Sequence, residues 1–190
     1  MRSTDLHLKT AAESDGIQAH WYAMRATYHR EMAVRRLLED NGIECYLPTT
    51  QKLKVVGNRK MRVTVPLVSS LIFVRCDKER LQHFKARVPY LQYMTRALDG
   101  KNVPIVVPQR QMDDFVAVTS HTHDRLLFYR PDELNLGRGD MVRIHGGAFD
   151  GVTGSFVKVT GKRNKRVVVE LKGVVAVALE CSDANFVEKL

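Results

Sequence analysis

The spacing of apolar side chains divides the first part of the chain into short strands and helices. Residues 20–27 alternate in character, so Trp21 and Tyr22 lie on opposite faces of a predicted strand. A stripe with i, i+3/i+4 spacing then predicts a helix. Its apolar positions are Ala33, Val34, Leu37 and Leu38. Residues 43–47 supply the next short strand, which Pro48 closes.

Later segments continue this alternation of strands and helices. Residues 66–75 predict an apolar strand in which Leu71 and Phe73 share one face. Two further helical stripes follow, at Leu81, Phe84 and Val88 and at Met112, Phe115 and Val116. The order β-α-β-hairpin-β-α-β-β-α predicts an α+β fold over residues 20–120, with helices packed on an antiparallel sheet. Residues 121–135 break the periodicity and predict a linker.

Residues 139–159 carry strand-like alternation on both sides of a glycine-rich loop. Glycine tolerates positive φ and close backbone approach, which suits a tight loop at the corner of a small barrel. A β-hairpin with a glycine-rich turn is the alternative interpretation. With three later apolar segments, residues 136–190 supply five short strands, enough for a small closed barrel. The positions of interest are Gly139, Asp140, Val142, Ile144, Gly147, Phe149, Gly151 and Gly154.

Composition and charge point to an anionic partner. The 190 residues are 44% hydrophobic and 27% charged, which fits a folded protein rather than a disordered one. The net charge of +9 and the pI of about 9.6 make nucleic acid the first candidate. A generally basic protein without such a partner is the alternative.

The positive charge is concentrated in a predicted β-hairpin that turns at Gly57-Asn58. A hairpin this basic, with no acidic residue, favours contact with phosphates over simple solvation, and its lack of aromatic residues argues against base stacking. Its basic residues are Lys52, Lys54, Arg59, Lys60 and Arg62. A second basic run is either an exposed turn or another phosphate or protein contact. It comprises Lys162, Arg163, Lys165 and Arg166.

Several other classes of function find no support in the sequence. The three cysteines are far apart, and His121 and His123 have no further ligand cluster, so no metal site or cofactor is expected. No phosphate-binding loop or nucleophile elbow indicates an enzyme. No apolar run approaches a membrane span, and residues 1–19 predict a flexible polar tail. We therefore expect a cytoplasmic monomer that does not contact membranes.

The glycine-rich stretch resembles the KOW motif of ribosomal proteins and of NusG-like transcription factors. The first part of the chain resembles the NGN domain that precedes KOW in the NusG family. Trp21-Tyr22 is similar to the family's Trp-Tyr opening, and Tyr46-Leu47-Pro48 to its second strand. Pro66-Leu67 followed by Leu71-Ile72-Phe73-Val74 is similar to its Pro-Leu-Phe-Pro-Gly-Tyr-Leu-Phe-Val strand. In one place, Val68-Ser69-Ser70-Leu71 replaces the usual Phe-Pro-Gly-Tyr.

This resemblance implies a transcription elongation or antitermination factor without catalytic activity. It implies an NGN-like domain that binds RNA polymerase, a linker, and an SH3-like KOW barrel that binds nascent RNA, a ribosomal protein or a termination factor. The implied polymerase-binding residues are Trp21, Tyr22, Leu67, Leu71 and Phe73. The basic hairpin would contact DNA. The replaced Phe-Pro-Gly-Tyr segment suggests a specialised paralogue that resembles RfaH or capsule-operon antiterminators. A stand-alone KOW-type RNA-binding protein, associated with ribosomes, is the alternative.

Overall fold

The computed structural model describes residues 18–121, 126–129, 139–158, 165–179 and 186–190. The chain up to residue 121 forms an α+β module, as the periodicity predicts. Its helices are α1 (Glu31–Asp40), α2 (Lys78–Ala86) and α3 (Gln109–His121). Its strands are β1 (His20–Ala26), β2 (Glu44–Tyr46), β3 (Thr49–Val56), β4 (Arg59–Pro66), β5 (Leu71–Cys76), β6 (Leu91–Tyr93), β7 (Thr95–Leu98), β8 (Lys101–Pro104) and β9 (Val106–Val107).

An antiparallel sheet with the order β2-β5-β1-β6 forms the centre of this module, and β9 pairs with β1. Because side chains alternate along a strand, each face of the sheet has its own core. Helices α1 and α2 cover the face that carries Tyr22 and Ile72. Helix α3 covers the face that carries Ala23 and Phe73. Burial of both faces explains why β1 and β5 are apolar along nearly their whole length.

Two hairpins leave this sheet as separate two-stranded ribbons. Strands β3 and β4 pair from Thr49↔Pro66 to Val56↔Arg59, and the turn contains Gly57 with a φ of 60°. This is the basic hairpin predicted from the sequence. Strands β7 and β8 form the second ribbon, paired from Thr95↔Pro104 to Leu98↔Lys101.

The last part of the chain forms a sheet with the strand order β10-β14-β13-β12-β11-β15. The five strands expected for residues 136–190 are all present. Their inward side chains, such as Val142 and Ile144, are buried as the alternation predicts. The strands are β10 (Leu126–Tyr129), β11 (Asp140–His145), β12 (Thr153–Lys158), β13 (Lys165–Leu171), β14 (Val175–Leu179) and β15 (Phe186–Lys189).

Strand β10 differs from the linker predicted over residues 121–135. Helix α3 extends to His121, and β10 pairs antiparallel with all but the first residue of β14. Leu126 joins the main core, whereas Leu127 and Tyr129 pack on a small apolar patch on the other side of the sheet. This strand is apolar on both faces, so it lacks the alternation that usually reveals a strand. The other linker residues, and the predicted tail up to residue 17, lie outside the described residues.

Helix α3 contacts both modules. Phe115 packs edge-on against Phe73 of the first sheet, with 5.3 Å between ring centroids. On the barrel side, α3 contacts β13 and β14, and the Thr153 hydroxyl donates a hydrogen bond of 2.7 Å to the Asp114 carboxylate. Buried residues of the two modules form one continuous apolar cluster through this helix. The barrel therefore rests against the first module in this structure.

Candidate nucleic-acid and protein interfaces

The basic hairpin is exposed along its charged part. All five basic residues predicted to contact nucleic acid, Lys52, Lys54, Arg59, Lys60 and Arg62, are exposed. The strands contain no acidic residue, so the ribbon has a formal charge of +5. A ribbon of this charge attracts an anionic polymer at moderate salt.

The pairing register divides these charges between the two faces of the ribbon. Residues directly opposite each other in an antiparallel pair share a face. Lys60 and Arg62 lie opposite Val55 and Leu53 and therefore share one face. Lys52, Lys54 and Arg59 lie on the other face. A single straight strand of nucleic acid can thus contact two or three of the five charges, which the sequence alone does not reveal.

The residues implied to bind RNA polymerase are mostly inside the first module. Leu71 is 3% exposed and Phe73 is fully buried, and Trp21 and Tyr22 are also buried. The expectation that Leu71 and Phe73 form an exposed docking face is wrong for this structure. The reason is that α3 covers this face of the sheet, and the Trp21 indole donates a 3.1 Å hydrogen bond to Gln109 at its start. Only Leu67 of the set is half-exposed.

Tyr22 is a buried core residue on the opposite face of the sheet. Its ring packs edge-on against Tyr93, with 5.6 Å between centroids. Burial raises the pKa of the Tyr22 phenol and raises the pKa of Tyr93 to about 12. Both phenols are therefore neutral at physiological pH, and their rings serve as core side chains.

The segment that replaces the family's Phe-Pro-Gly-Tyr keeps a glycine-like turn without the glycine. Ser70, at the position of that glycine, has a φ of 62°, a conformation that L-residues rarely adopt and glycine adopts freely. Its N–H donates a 2.5 Å hydrogen bond to the carboxylate of Glu31, which is buried. Its carbonyl accepts from the Ala26 N–H at 3.0 Å. Sequence reasoning missed Glu31, because a carboxylate at the start of a helix ordinarily indicates only a favourable helix dipole.

A second unusual turn lies beside this one. Tyr28 and His29 are consecutive non-glycine residues with φ values of 60° and 54°. Tyr28 is 82% exposed, and the His29 ring nitrogen Nδ1 lies 3.5 Å from the Ser69 hydroxyl. Such strain in an exposed turn persists only when its surroundings hold it. The sequence gives little signal for it, since histidine is only modestly enriched at positive φ and tyrosine is not.

The glycine-rich motif forms the β11–β12 connection. Gly147 and Gly151 have φ values of 70° and 81°, and Phe149 packs on the main core from a 3₁₀ turn (Gly147–Phe149). Gly154 is required for a different reason. A Cβ placed there would lie 2.6 Å from the carbonyl oxygen of Val168 on the neighbouring strand. Gly147 and Gly151 thus take the predicted role of positive φ, and Gly154 takes the predicted role of close backbone approach.

The second basic run does not form an exposed contact surface as a whole. Arg166 is 6% exposed, so its predicted role in an external contact is wrong. It lies in β13, where the strand packs into the barrel. Lys162 and Arg163 lie outside the described residues. Lys165 begins β13, and its side chain also lies outside them.

The described part of the chain offers little support for a metal site, a reactive cysteine or a membrane-spanning helix. Within it, no group of three or more His, Cys, Asp or Glu side chains could hold a metal ion. Burial raises the pKa of the Cys45 thiol to about 11, so this cysteine is a poor nucleophile at neutral pH. Cys76 is buried, and Cys181 lies outside the described residues. None of the described helices has the length and apolar character to cross a bilayer.

These features define a two-module protein, in which an α+β module with a projecting basic ribbon precedes a small all-β module. The family model described as transcription termination factor NusG matches residues 19–116. Because this match covers more than half of the chain, the protein belongs to the NusG family of transcription elongation and antitermination factors.

One solved structure among those similar to this chain is titled "Domain interaction in Thermotoga maritima NusG". It is 21% identical in sequence, with a TM-score of 0.45, and the match covers 91% of this chain and 98% of the other. That degree of similarity supports no inference about function. No curated protein matches the sequence.

Proposed function

We propose that this protein is a non-enzymatic transcription factor that binds RNA polymerase through residues 20–120 and suppresses pausing or termination. The observation that carries the proposal is the family match over residues 19–116, which coincides with the α+β module. It acts in the cytoplasm at particular operons, such as those for polysaccharide biosynthesis. The replacement of Phe-Pro-Gly-Tyr by Val68-Ser69-Ser70-Leu71 supports a specialised rather than a general factor.

We infer that the polymerase contact lies at Leu67 and Val68 rather than at Leu71 and Phe73. Both are half-exposed and directly follow the basic hairpin, and Val68 also packs on the main core. Apolar side chains that are partly exposed on a rigid base suit a protein interface. The buried Leu71 and Phe73 support this surface from beneath.

Binding at this surface would favour the closed, elongating state of the polymerase. A ligand shifts a conformational equilibrium only by its differential affinity for the two states, so the factor must bind the closed state more tightly. The basic hairpin beside the contact would hold DNA close to the enzyme. The barrel would contact nascent RNA, a ribosomal protein or a termination factor.

A binding assay with purified core RNA polymerase tests the proposed contact. The Leu67→Asp/Val68→Asp variant should lose at least about tenfold in affinity, because it places two charges in an apolar interface. A matched control is Leu98→Asp, which changes a 50% exposed leucine on the other hairpin and should bind like the wild type. Wild-type affinity of the double variant would show that the polymerase contact lies elsewhere.

Read-through of a terminator during transcription in vitro tests the activity itself. The wild type should raise the fraction of transcripts that pass the terminator, and the Leu67→Asp/Val68→Asp variant should not. Leu71→Asp and Phe73→Asp are unsuitable here, since a charge in the core unfolds the module. A wild-type protein that binds polymerase but leaves pausing and termination unchanged would contradict the proposal.

A further inference from the structure

Strand β10 (Leu126–Tyr129) belongs to the connection between the two modules, yet it is held by the second one. It pairs antiparallel with β14 from Leu126↔Leu179 to Tyr129↔Ala176. It lies at one end of the sheet, and no other described strand pairs with its outer edge. Strand β10 is therefore an edge strand that the connecting segment contributes to the barrel.

Side chains on both faces of β10 are packed, which stabilises its pairing. Leu126 is 8% exposed and joins the main core, against which Phe128 also packs. Leu127 and Tyr129 pack on the small apolar patch of the opposite face. If β10 left the sheet, apolar surface on both faces and the backbone groups along the edge of β14 would meet water. Pairing with β14 is thus the favoured state of β10.

Pairing of β10 also shortens the chain that tethers the barrel to α3. Helix α3 ends at His121 and β10 begins at Leu126, about five residue steps later, and these steps span at most about 18 Å. Without β10, the barrel would begin at Asp140, the first residue of β11. The tether would then have about 19 steps and span up to about 65 Å.

A shorter tether favours the contact between α3 and the barrel. The effective concentration of two tethered surfaces falls roughly as the −3/2 power of the tether length. A change from about 5 to about 19 steps therefore lowers this concentration about sevenfold. It acts on the contact in which the Thr153 hydroxyl donates a hydrogen bond of 2.7 Å to Asp114.

We propose that β10 is a latch, which holds the barrel against α3 while it pairs with β14 and loosens the barrel when it leaves. Release of β10 frees the edge of β14 and lengthens the tether in a single step. An extended segment that replaced β10 on β14 would therefore also weaken the contact at α3. The inference goes beyond the proposed function, because it concerns what joins the two modules rather than what they bind.

The test compares two insertions of about 14 Gly and Ser residues, one placed before β10 and one after it. The first lies between residues 123 and 124 and lengthens the tether even when β10 is paired. The second lies between residues 133 and 134 and lengthens the tether only when β10 is unpaired. We expect the first insertion to lower the ratio of closed to open molecules about sevenfold and the second to leave it unchanged.

Single-molecule FRET in the full-length protein measures this ratio. The dyes are attached at Leu98→Cys and Leu190→Cys, one on each module, which replace side chains that are at least 50% exposed. The three native cysteines are replaced by alanine. Every variant also carries Thr153→Val, which removes the hydrogen bond to Asp114, so that open molecules are frequent enough to count.

Phe128→Pro tests the latch itself. Proline cannot donate a backbone hydrogen bond and disrupts a strand, so this variant should behave as if β10 were unpaired. It should lower the ratio at least about sevenfold, and in its background the two insertions should have equal effects of about twofold. Phe128→Leu keeps the N–H and an apolar side chain and should behave like the parent protein. Far-UV circular dichroism shows whether each variant is folded.

Equal effects of the two insertions in the parent protein would overturn the proposal, because the tether would then run through an unpaired β10. An unchanged ratio in folded Phe128→Pro would overturn it as well. The insertions leave β10 itself intact, so they decide the outcome even if Phe128→Pro does not fold. Polymerase and nucleic acid are absent, so the result is independent of the proposed function.

Discussion

Replacing Gly154 with alanine tests whether the barrel depends on close approach of two strands. The added Cβ would lie 2.6 Å from the Val168 carbonyl oxygen and 2.8 Å from a methyl group of Val167. The methyl group could turn aside, but the carbonyl belongs to the β12–β13 pairing and cannot move without disturbing it. Overpacking typically costs about 1–3 kcal/mol, and a weakened backbone hydrogen bond adds about 1 kcal/mol. We therefore expect Gly154→Ala to reduce the free energy of unfolding by about 3 kcal/mol.

The assay is urea unfolding followed by far-UV circular dichroism, because the single tryptophan lies in the other module. The control is Gly151→Ala, where φ is 81° and no atom lies within 4 Å of the added Cβ. That variant bears only the backbone strain of a left-handed residue, about 1–2 kcal/mol. If Gly154→Ala costs no more than Gly151→Ala, the close approach of β12 and β13 does not stabilise the barrel.

Three further predictions concern other contacts. Burial raises the pKa of Tyr93 from 10.0 to about 12, so its stabilising contribution is present below pH 10 and is lost as the pH rises towards 12. Tyr93→Phe should therefore reduce the alkaline fall in melting temperature and should not lower stability at pH 7, since this buried hydroxyl has no hydrogen-bond partner among the described residues. A steeper alkaline fall would contradict this. Glu31→Ala should cost about 2 kcal/mol in urea unfolding, because it removes the acceptor of the Ser70 N–H, whereas Glu31→Gln should recover at least half of that loss. Equal losses in the two variants would refute the hydrogen-bonding role. Asp114→Ala and Thr153→Val should show a coupling energy of about 1 kcal/mol in a double-mutant cycle, and additive effects would mean that this contact is not kept in solution.

The order of the elements and the basic hairpin could be predicted, because each depends on local pattern. Alternation along residues 20–27 and the Gly57-Asn58 turn correspond to β1 and the β3–β4 hairpin of the structure. The glycine spacing after Gly139 likewise predicted a strand–loop–strand unit. Periodicity depends on residues that are close together in the sequence, so it predicts an element without knowledge of how the rest of the chain packs.

The burial of Leu71 and Phe73 could not be predicted, because it depends on distant residues. A strand that is apolar on both faces is either covered within its own chain or available to a partner. Alternation does not distinguish these cases, and α3, about 40 residues later, decides between them. Of the residues implied to bind the polymerase, Leu67 is partly exposed, and so is its neighbour Val68.

The sequence did not predict strand β10 or the burial of Glu31, and the reasons are related. The four apolar residues of β10 occur within a polar segment, and only pairing with β14 makes them a strand. A glutamate is ordinarily exposed, yet the left-handed turn at Ser70 provides a backbone donor that Glu31 can bind while buried. In each case, a tertiary partner overrides the local preference.

Site-specific crosslinking in a reconstituted elongation complex tests the central claim most directly. A photoreactive residue replaces Leu67 in one full-length variant and Lys54 in another, and RNA synthesis is stalled at successive positions. We predict that the variant at residue 67 crosslinks to RNA polymerase and the variant at residue 54 to DNA in the same complex. Folded protein that crosslinks to polymerase at no stage of RNA synthesis would contradict the account.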